Sequence, residues 1–388
     1  MLGTTHEERR PLVVLIGNAA GSTLNFRAPL IADLVSAGWH VEVLAPDWTP
    51  PLLERLRAVG AQGATYPLVR TGLNPLQDLR TLFALVRHLQ RRRPDAVLSY
   101  AAKPNVWGML AAAWVGVPRR VAMVEGLGYA FTDAGEERRS LKRRVVGAVL
   151  AWLYRGAFAA AHQVVVQNPD DARDLQRLCG LSPSKIKVIG GIGVVLDEWP
   201  PYPPHLEPIT FTLVARLLRE KGVLEFLAAA RQVKTQHPAV RFWLLGPLDD
   251  NPGGLTRADL QPWLEDGTVV WPGAVDVKPW LAQTSVFVLP SYYREGVPRS
   301  TQEAMAMGRP VITTDAPGCR ETVIDGVNGF LVPPRDVAAL VAAMRRFIDA
   351  PELIERMGQE SRRLAEVRFD ARQTNRRLLA ALGIGEPA

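Results

Sequence analysis

Short apolar runs alternate with amphipathic stretches along the first half of the chain. Between the runs, segments such as Leu76–Gln90 place apolar residues at helical spacing. Strands that alternate with helices indicate a parallel sheet covered by helices on both faces. The runs predicted to be buried strands are Leu12–Ile16, Val41–Ala45, Ala96–Tyr100 and Val121–Val124, followed by Val164–Gln167 and Ile186–Gly190.

A proline-rich run from Trp199 to Pro204 interrupts this alternation. Because proline cannot donate to a sheet, the run is predicted to be a stiff connector between two domains. The alternation then restarts, with predicted strands at Ile209–Val214, Arg241–Leu245, Val269–Trp271, Val286–Pro290 and Pro310–Thr313, and predicted helices near Leu224–Thr235, Val297–Met307 and Val337–Ile348. A final helix over Ala371–Leu382 follows, and its pattern leaves open which domain it packs on.

The predicted fold class is therefore α/β, with two doubly wound domains. The boundaries are a first domain over residues 1–198, a linker over 199–208, a second domain over 209–368, and a C-terminal helix and tail over 369–388. Two such domains place the carboxyl ends of their sheets on either side of a cleft, which is where open α/β sheets bind ligands. The cleft is the predicted functional site.

Composition and charge narrow the class of protein. A chain of 388 residues that is 47% hydrophobic has enough apolar material for two cores, which excludes a disordered or fibrous chain. Residues 1–198 contain 24 basic and 17 acidic side chains, whereas the remainder contains 22 of each. This imbalance favours a first half that faces phosphates or anionic lipid, and the alternative is a diffuse, solvated surface.

Cysteine usage and hydropathy favour a cytoplasmic protein. Cys179 and Cys319 lack metal-ligand spacing and do not form a disulfide framework, in keeping with a reducing compartment. The first apolar run is too short for a signal peptide. The longest weakly polar stretch, Val145–Ala161, is interrupted by Arg155 and falls below a convincing membrane span.

The segment richest in candidate chemistry runs from Pro290 to Glu303. A strand is predicted to end at Pro290, Glu295 follows in a loop, and Pro298 stands where the first turn of a helix begins. Both carboxylates are expected to reach the cleft beside the positive end of this helix, where carboxylates suit vicinal hydroxyls and backbone N–H groups suit a phosphate. The alternative is that Glu295 and Glu303 are ordinary surface acids.

Two cations follow the first strand of the second domain. Arg216 and Lys221 are expected at the same edge of the sheet, where they would hold a diphosphate and stabilise its charge as a bond to it breaks. As isolated features they would be read as solvated side chains. No Asp-x-Asp triplet occurs in the chain, so a metal-bridged diphosphate is not suggested. We expect neither a metal nor another cofactor.

Together these segments resemble the retaining nucleotide-sugar glycosyltransferases of family 4, which have the GT-B fold of two Rossmann-like domains facing across a cleft. The resemblance runs from about Leu12 to Ile348. It implies a UDP-sugar as co-substrate, a contact of Glu295 with the donor sugar and of Glu303 with the ribose hydroxyls, and a diphosphate clamp of Arg216 and Lys221. The other implied donor-binding residues are Gly296, Val297, Gly246, Gly273 and Gly17, although Gly17 is also explained by a plain tight turn.

The first half is similar to members that extend undecaprenyl-diphosphate-linked saccharides in glycan, capsule or exopolysaccharide synthesis. The implied acceptor-binding residues are Gly21, Arg27, Lys103, Asn105, Gly126 and Gly128. Lys103 is suited to an acceptor phosphate, and the alternative is a solvated lysine. Many family members carry a histidine that faces the donor sugar. Here the region reads Val124–Gly128, so Glu125 or the backbone of the glycine loop is the candidate substitute.

A basic cluster follows the predicted strand Val121–Val124 and is formed by Arg138, Arg139, Lys142, Arg143 and Arg144. A basic amphipathic helix of this kind suits an anionic membrane surface, which predicts a peripheral protein on the inner face of the cell membrane. The apolar continuation from Trp152 to Ala161 is expected to pack on the sheet. No aromatic interleaving accompanies the cluster, so nucleic acid is not an expected partner.

The predicted reaction is transfer of a hexose or N-acetylhexosamine from a UDP-sugar to a polyprenyl-diphosphate-linked saccharide, with retention of the anomeric configuration. One alternative is a nucleotide-sugar epimerase of the same architecture, which would turn over its donor with no acceptor present. The other is a nucleotide-sugar-binding subunit that has kept the fold without turnover.

Overall fold

A computed structural model of the chain describes residues 10–70, 74–128, 131, 141–249, 251 and 253–385, and for residues 141–144 it describes the backbone alone. Two parallel sheets are present, each with helices on both faces. The α/β architecture predicted from the alternation of strands and helices is confirmed.

The first sheet has the strand order β3-β2-β1-β4-β5-β6-β7. Its strands are β1 Leu12–Ile16, β2 His40–Ala45, β3 Gln62–Thr65, β4 Ala96–Tyr100, β5 Arg119–Val124, β6 Gln163–Val166 and β7 Ile186–Val188. The pattern did not predict β3, because this edge strand is short and none of its side chains is buried. The helices of this half are α1 Ala20–Ser36, α2 Pro50–Ala58, α3 Pro75–Arg92, α4 Ala102–Val115, α5 Leu141–Ala160 and α6 Pro169–Cys179.

The second sheet has the order β10-β9-β8-β11-β12-β13. Its strands are β8 Thr210–Val214, β9 Arg241–Leu245, β10 Val270–Gly273, β11 Val286–Leu289, β12 Val311–Thr314 and β13 Gly329–Val332, of which β13 was not predicted. The helices are α7 Val223–Gln236, α8 Arg257–Glu265, α9 Lys278–Ala282, α10 Arg299–Ala306, α11 Val337–Asp349, α12 Glu352–Arg368 and α13 Ala371–Leu382. Helix α10 begins two residues later than predicted, because Pro298 has ψ 122° and caps the helix from outside it.

Each sheet buries both faces. In the first domain, helices α3 to α6 pack on one face of the sheet, and α1, α2 and α13 pack on the other. Helix α13 reaches back across the molecule, with Leu378, Ala381 and Leu382 in the same cluster as Val13 and Leu15 of β1. Its packing on the first domain resolves what the pattern left open.

The proline-rich connector is bound to the second domain. The buried guanidinium of Arg309 donates hydrogen bonds to the carbonyl oxygens of Tyr202 and Thr284, each at 2.9 Å. The carbonyl of Trp199 accepts a hydrogen bond of 2.8 Å from Arg362 of α12. These donors compensate carbonyl groups that proline-rich backbone leaves without partners in a sheet.

Candidate active site

The centre of the site is an ion pair between two predicted residues, Lys221 and Glu295. Glu295 lies in the loop between β11 and α10, and Lys221 lies in a 3-10 turn between β8 and α7. Both strands end at the same edge of the second sheet, so the side chains meet although they are 74 residues apart. The Ser291 hydroxyl also donates to Glu295 at 3.1 Å, and the Lys221 ammonium lies 5.3 Å from the centroid of the Tyr293 ring.

The second predicted carboxylate, Glu303, lies one turn inside α10. It accepts a hydrogen bond of 2.9 Å from Arg299 on the same helix. Burial raises the pKa of the Glu303 carboxyl, and the nearby charges of Arg299 and Lys278 lower it, with burial the larger effect. A buried carboxylate with cations beside it is suited to hydrogen bonding with ligand hydroxyls, because it is incompletely solvated before the ligand arrives.

Arg216 occupies the rim of the same edge. Its guanidinium pairs with Asp249 at 2.7 Å, and its side chain is 48% exposed. Burial raises the pKa of the Asp249 carboxyl, but the hydrogen bonds donated by Asn251 and the charge of Arg216 outweigh it, so the pKa is lowered. Arg216 is thus held in place by a carboxylate whose lowered pKa favours its ionised form, while the guanidinium remains accessible to an anion.

The Glu295 loop is bonded across the cleft to the first domain. Asn168 donates to the carbonyl oxygens of Glu295 and Gly296, at 3.1 and 2.8 Å. The side-chain oxygen of Gln167 accepts from the backbone N–H of Val297 at 2.8 Å. Gly296 and Val297, predicted to bind the donor, therefore have their backbone positions set by the opposite domain.

Gln167 and Asn168 were not singled out in the sequence. A local signal was present, because Asn168 precedes Pro169 and Asp171 in the pattern of a capped helix start. In the structure Asn168 does cap α6, accepting from the backbone N–H of Asp171 at 2.8 Å. The pattern does not show the second interaction of the Asn168 side chain, whose amide donates to two carbonyl groups that are 127 and 128 residues away.

Arg294, the neighbour of Glu295, anchors the loop electrostatically. Its guanidinium forms ion pairs with Asp174 and with Asp171 of α6, the latter at 3.3 Å. Asp171 is fully buried, and burial raises its pKa to about 7 although Arg294 and Asn168 lower it. The loop that carries Glu295 is thus held by hydrogen bonds from Asn168 and by the ion pairs of Arg294 with α6.

The glycine loop after β5 packs directly against the Glu295 loop. Gly126 has φ +101°, and a Cβ atom there would lie 2.5 Å from the carbonyl oxygen of Arg294 and 2.5 Å from the nitrogen of Gly296. The backbone N–H of Gly128 donates to the same Arg294 carbonyl at 3.2 Å. The space that glycine leaves at residue 126 is thus occupied by protein, and the predicted acceptor contacts of Gly126 and Gly128 stay predictions.

Arg27 and Glu125 form an ion pair at the carboxyl edge of the first sheet. The Arg27 guanidinium is buried and lies 5.2 Å from the centroid of the Tyr100 ring, whereas the Glu125 side chain is 32% exposed. Glu125 immediately precedes Gly126, and its carbonyl carbon would lie 3.0 Å from a Cβ atom at Gly296, so its backbone lies against the Glu295 loop. The pair gives Glu125, the candidate substitute for the histidine of other family members, a defined position, and that role stays a prediction.

Two further predicted acceptor residues have structural partners. The Lys103 ammonium pairs with buried Asp78 at 2.8 Å. Asn105 is buried, accepting from the Ser99 hydroxyl and donating to the Met123 carbonyl, each at 2.7 Å. Asn105 thereby ties β4 to β5 beneath the cleft, which is a positioning role and places its side chain away from the surface.

The predicted glycines differ in what they accommodate. A Cβ atom at Gly17 would lie 2.6 Å from the Tyr100 hydroxyl, so the open space at this turn is filled by an aromatic side chain. At Gly21, inside α1, a Cβ atom would meet nothing within 4 Å. Gly246 has φ +140° and approaches the Ala215 carbonyl, and Gly273 has φ +84° with open space beside it.

The structure describes only part of the predicted membrane cluster. Arg138 and Arg139 lie outside the described residues, and Lys142, Arg143 and Arg144 belong to α5 with only their backbone described. No helix within the described part of the chain is long and apolar enough to span a bilayer. In those same residues, no group of three or more His, Cys, Asp or Glu side chains is arranged to hold a metal ion, and the expectation that no metal is needed stays a prediction.

Comparison with known proteins identifies the family. Residues 29–191 match the model described as Glycosyltransferase Family 4, and residues 208–350 match the model described as Glycosyl transferases group 1. The chain belongs to glycosyltransferase family 4. The resemblance stated for the sequence is confirmed, and the Glu295, Glu303, Arg216 and Lys221 set lies within the group 1 match.

Two relatives of this glycosyltransferase are named as enzymes that act on lipid-linked saccharides. The chain is 33% identical over 331 residues to the N,N'-diacetylbacillosaminyl-diphospho-undecaprenol alpha-1,3-N-acetylgalactosaminyltransferase of Campylobacter jejuni, a match that covers 81% of this chain and 83% of that protein. It is 26% identical to the UDP-Gal:alpha-D-GlcNAc-diphosphoundecaprenol alpha-1,3-galactosyltransferase of Escherichia coli, covering 73% and 74%.

Solved structures agree with the fold of the glycosyltransferase. Sucrose-phosphate synthase from Thermosynechococcus elongatus superposes with a TM-score of 0.74 at 22% identity, covering 96% of this chain and 100% of that one. HepE of Anabaena in complex with UDP and glucose superposes with a TM-score of 0.73 at 17% identity and the same coverage. The predicted GT-B fold is confirmed.

Proposed function

We propose that this glycosyltransferase moves a hexose or N-acetylhexosamine from a UDP-sugar to a polyprenyl-diphosphate-linked saccharide, with retention of the anomeric configuration. The observation that carries the proposal is the Lys221–Glu295 pair, held at the edge of the second sheet by a loop that is bonded to the first domain. The names of the Campylobacter and Escherichia relatives support the lipid-linked acceptor, and the Escherichia name supports a UDP-sugar.

The donor would lie between the two charged edges of the cleft. In this arrangement Glu295 hydrogen-bonds the sugar hydroxyls, Glu303 the ribose hydroxyls, and Arg216 with Lys221 the diphosphate. Because Lys221 pairs with Glu295, its ammonium would lie between the carboxylate that contacts the sugar and the diphosphate. The bond that breaks joins the sugar to that diphosphate. The structural settings of Arg216 and Glu303 fit these roles, since each side chain is held by an ionic partner.

The proposed reaction is a front-side displacement. The bond from the anomeric carbon to the diphosphate oxygen breaks, a bond to the acceptor oxygen forms on the same face of the sugar, and the departing diphosphate oxygen takes the acceptor's proton. Negative charge develops on the diphosphate, so Arg216 and Lys221 lower the barrier by stabilising it. The rest of the acceleration comes from holding the acceptor hydroxyl and the anomeric carbon close together and correctly oriented. No metal is proposed for this step.

Retention is supported by the linkages in the names of the two relatives. Both relatives are named as alpha-1,3 transferases, and an alpha product from an alpha-linked nucleotide sugar is retention.

The proposed setting is the inner face of the cell membrane, with the protein attached peripherally to anionic lipid. The excess of positive charge in residues 1–198 supports this setting, because anionic leaflets attract basic surfaces.

Ligand-dependent stabilisation tests the donor first. UDP, GDP, ADP and their common sugar conjugates are each added to the protein and the midpoint of thermal unfolding is recorded. A ligand at a hundred times its dissociation constant stabilises by about 2.7 kcal/mol, so UDP and one UDP-sugar should raise the midpoint. Stabilisation by GDP or ADP alone would contradict the UDP assignment.

Transfer is then measured with the selected donor and an undecaprenyl-diphosphate-linked saccharide. Glu295→Gln should reduce the transfer rate by about a hundredfold or more, because it removes a charged hydrogen-bond acceptor and leaves Lys221 without its ionic partner. The matched control is Glu355→Gln, which changes an exposed carboxylate on α12. Full activity of Glu295→Gln, or donor turnover that needs no acceptor, would contradict the proposal and favour the binding-subunit or epimerase alternative. The anomeric proton coupling of the product distinguishes retention from inversion.

A further inference from the structure

The chain crosses between the two domains twice, and the two crossings lie side by side. The first crossing leads from β7 to the proline-rich connector, and the second leads from α12 to α13. The backbone N–H of Val194 donates to the Phe369 carbonyl at 2.7 Å, and the N–H of Ala371 donates to the Val194 carbonyl at 2.9 Å. The crossings are thus paired in a parallel bridge between Val194 and Asp370.

Gly193 marks the point where the first crossing passes from one core to another. Ile192 packs in the core of the first sheet, whereas Val194 packs in a core of the second sheet. Gly193 has φ +74°, and a Cβ atom there would lie 2.7 Å from the Cα atom of Ala371 in the other crossing. Hinges between domains consist of a few residues of this kind, which absorb the change in backbone angles. Residues 192–194 are called the hinge segment below.

Two side chains of α10 bind both backbone groups of Gly193. The side-chain oxygen of Gln302, which is fully buried, accepts from the Gly193 N–H at 2.9 Å. The Arg299 guanidinium donates to the Gly193 carbonyl. The Gln302 amide also donates to the Val297 carbonyl at 2.9 Å, which fixes the orientation of this side chain. The hinge segment is therefore attached to the helix that carries Glu303.

Arg299 binds Glu303 with the same guanidinium. Its Nε atom donates to Oε1 of the Glu303 carboxylate at 2.9 Å, while its Nη1 atom donates to the Gly193 carbonyl. The side chains of Arg299 and Glu303 are 15% and 13% exposed, so solvent screens this pair less than a pair on the surface. A guanidinium is planar and holds its donors at fixed angles. One rigid group thus joins the Glu303 carboxylate to the hinge segment.

We infer that Arg299 is a positioning residue that couples the Glu303 carboxylate to the hinge segment. When the carboxylate moves, the rigid guanidinium turns with it, and the Gly193 carbonyl follows or loses its donor. The coupling is reciprocal, because a hinge position that breaks the bond to Gly193 also removes support from Glu303. The inference rests on the proposed function where Glu303 binds the ribose: the donor would then set the angle between the domains.

This arrangement differs from an ordinary ion pair within a helix. Arg363 and Glu360 form such a pair on α12, where their side chains are 58% and 37% exposed. An exposed pair of this kind contributes little to stability. Arg299 has an additional acceptor in the crossing between the domains, whereas Arg363 binds within its own helix. Arg363→Met is therefore the matched control for Arg299→Met.

Distances between the domains test the coupling without any ligand. Spin labels are attached to two introduced cysteines, Glu54→Cys on α2 and Gln261→Cys on α8, because both positions are exposed. The native residues Cys179 and Cys319 are buried and should react slowly. Pulsed double electron resonance then gives the distribution of the distance between the two labels, in the otherwise wild-type protein and in each variant.

The coupling predicts a specific pattern among the variants. Arg299→Met and Glu303→Gln should each broaden the distribution, and Arg363→Met should leave it unchanged. The double variant of Arg299→Met with Glu303→Gln should be no broader than Arg299→Met alone, because both changes break one connection. A wild-type distribution for Glu303→Gln or for Arg299→Met would overturn the inference, and so would two effects that simply add in the double variant.

Donor affinity and turnover give a second readout. Arg299→Met should bind UDP about tenfold more weakly, because Glu303 loses its partner. Its kcat should also fall by about tenfold, because the hinge no longer sets the position of the acceptor relative to the donor. Arg299→Lys keeps the charge but not the fixed geometry, so it should recover UDP affinity without narrowing the distance distribution. An unchanged kcat for Arg299→Met, or a wild-type distribution for Arg299→Lys, would show that Arg299 only neutralises Glu303 and would overturn the inference.

The result is separable from that of the proposed function. Stabilisation by UDP and sugar transfer by the wild type test the proposed function, whereas the distances without ligand test the coupling. If UDP stabilises the wild type and Glu303→Gln leaves the distribution unchanged, the coupling alone fails. If the distributions change as expected and no nucleotide stabilises the protein, the proposed function alone fails. A normal thermal midpoint for each variant excludes misfolding, and Glu303→Gln with Arg299→Lys carries the test if Arg299→Met does not fold.

Discussion

The contact between the glycine loop and the Glu295 loop allows a sharp test of how the site is held. Alanine at residue 126 adds a single methyl group, and this atom would lie 2.5 Å from the Arg294 carbonyl oxygen, 2.5 Å from the Gly296 nitrogen and 2.6 Å from the Glu295 carbonyl carbon. All three neighbours are backbone atoms, so no side chain can rotate to relieve the overlap. The Glu295 loop, or the domain that carries it, has to move.

The size of the movement follows from contact distances. Non-bonded heavy atoms approach to about 3.5 Å, so the loop must retreat by roughly 1 Å. Misplacement of a reacting group by about 1 Å costs on the order of a hundredfold in rate. The left-handed φ of +101° adds strain of about 1–3 kcal/mol to the folded state. Gly126→Ala should therefore lose about a hundredfold in transfer rate together with a modest loss of stability.

Gly116→Ala is the matched control. Gly116 also has a positive φ, of 76°, but a Cβ atom there would meet nothing within 4 Å. This variant should lose stability through backbone strain and keep its transfer rate. Initial rates with saturating donor and acceptor, and thermal unfolding, are compared for the wild type and the two variants. If Gly126→Ala transfers sugar within threefold of Gly116→Ala, the contact does not position Glu295 and the reasoning fails.

Three further predictions follow from buried charges. Glu303→Gln removes the buried carboxylate that pairs with Arg299. Calorimetry should show that this variant binds UDP about tenfold more weakly, and an unchanged affinity would contradict the assignment. The pKa of Asp171 is raised to about 7, so between pH 4 and 7 the folded state keeps a proton that the unfolded state has released, and stability falls as the pH rises. Asp171→Asn should flatten this slope in urea titrations, by up to about 1.4 kcal/mol per pH unit, and parallel curves for the two proteins would contradict it. Arg309→Met leaves the Tyr202 and Thr284 carbonyls without their donor. This variant should have a free energy of unfolding that is lower by about 2–4 kcal/mol, measured in the same urea titrations. A loss below about 0.5 kcal/mol would show that other contacts hold the connector.

The local pattern of the sequence was sufficient for the architecture. Buried parallel strands are apolar on both faces, so β1, β4 and β9 were predicted with the bounds that the structure shows. It also placed Glu295, Lys221 and Arg216 at one edge of the second sheet, because the carboxyl ends of parallel strands coincide. The edge strand β3 escaped prediction, since its exposed and small residues give no buried signal.

The way in which the two domains meet depends on contacts between residues far apart in the chain. Asn168 of the first domain holds the Gly296 carbonyl across a separation of 128 residues, and Gly126 fits against the same loop. Such contacts depend on the relative position of two independently patterned sheets, and no periodicity along the chain encodes that position. The exposure of Trp152, which was expected to pack on the sheet but is 72% exposed, has the same origin, because an apolar pattern does not show whether other parts of the chain cover the residue. The residue pattern therefore accounts for the two sheets and for the chemical groups at their edges, whereas packing between distant segments sets which of those groups touch.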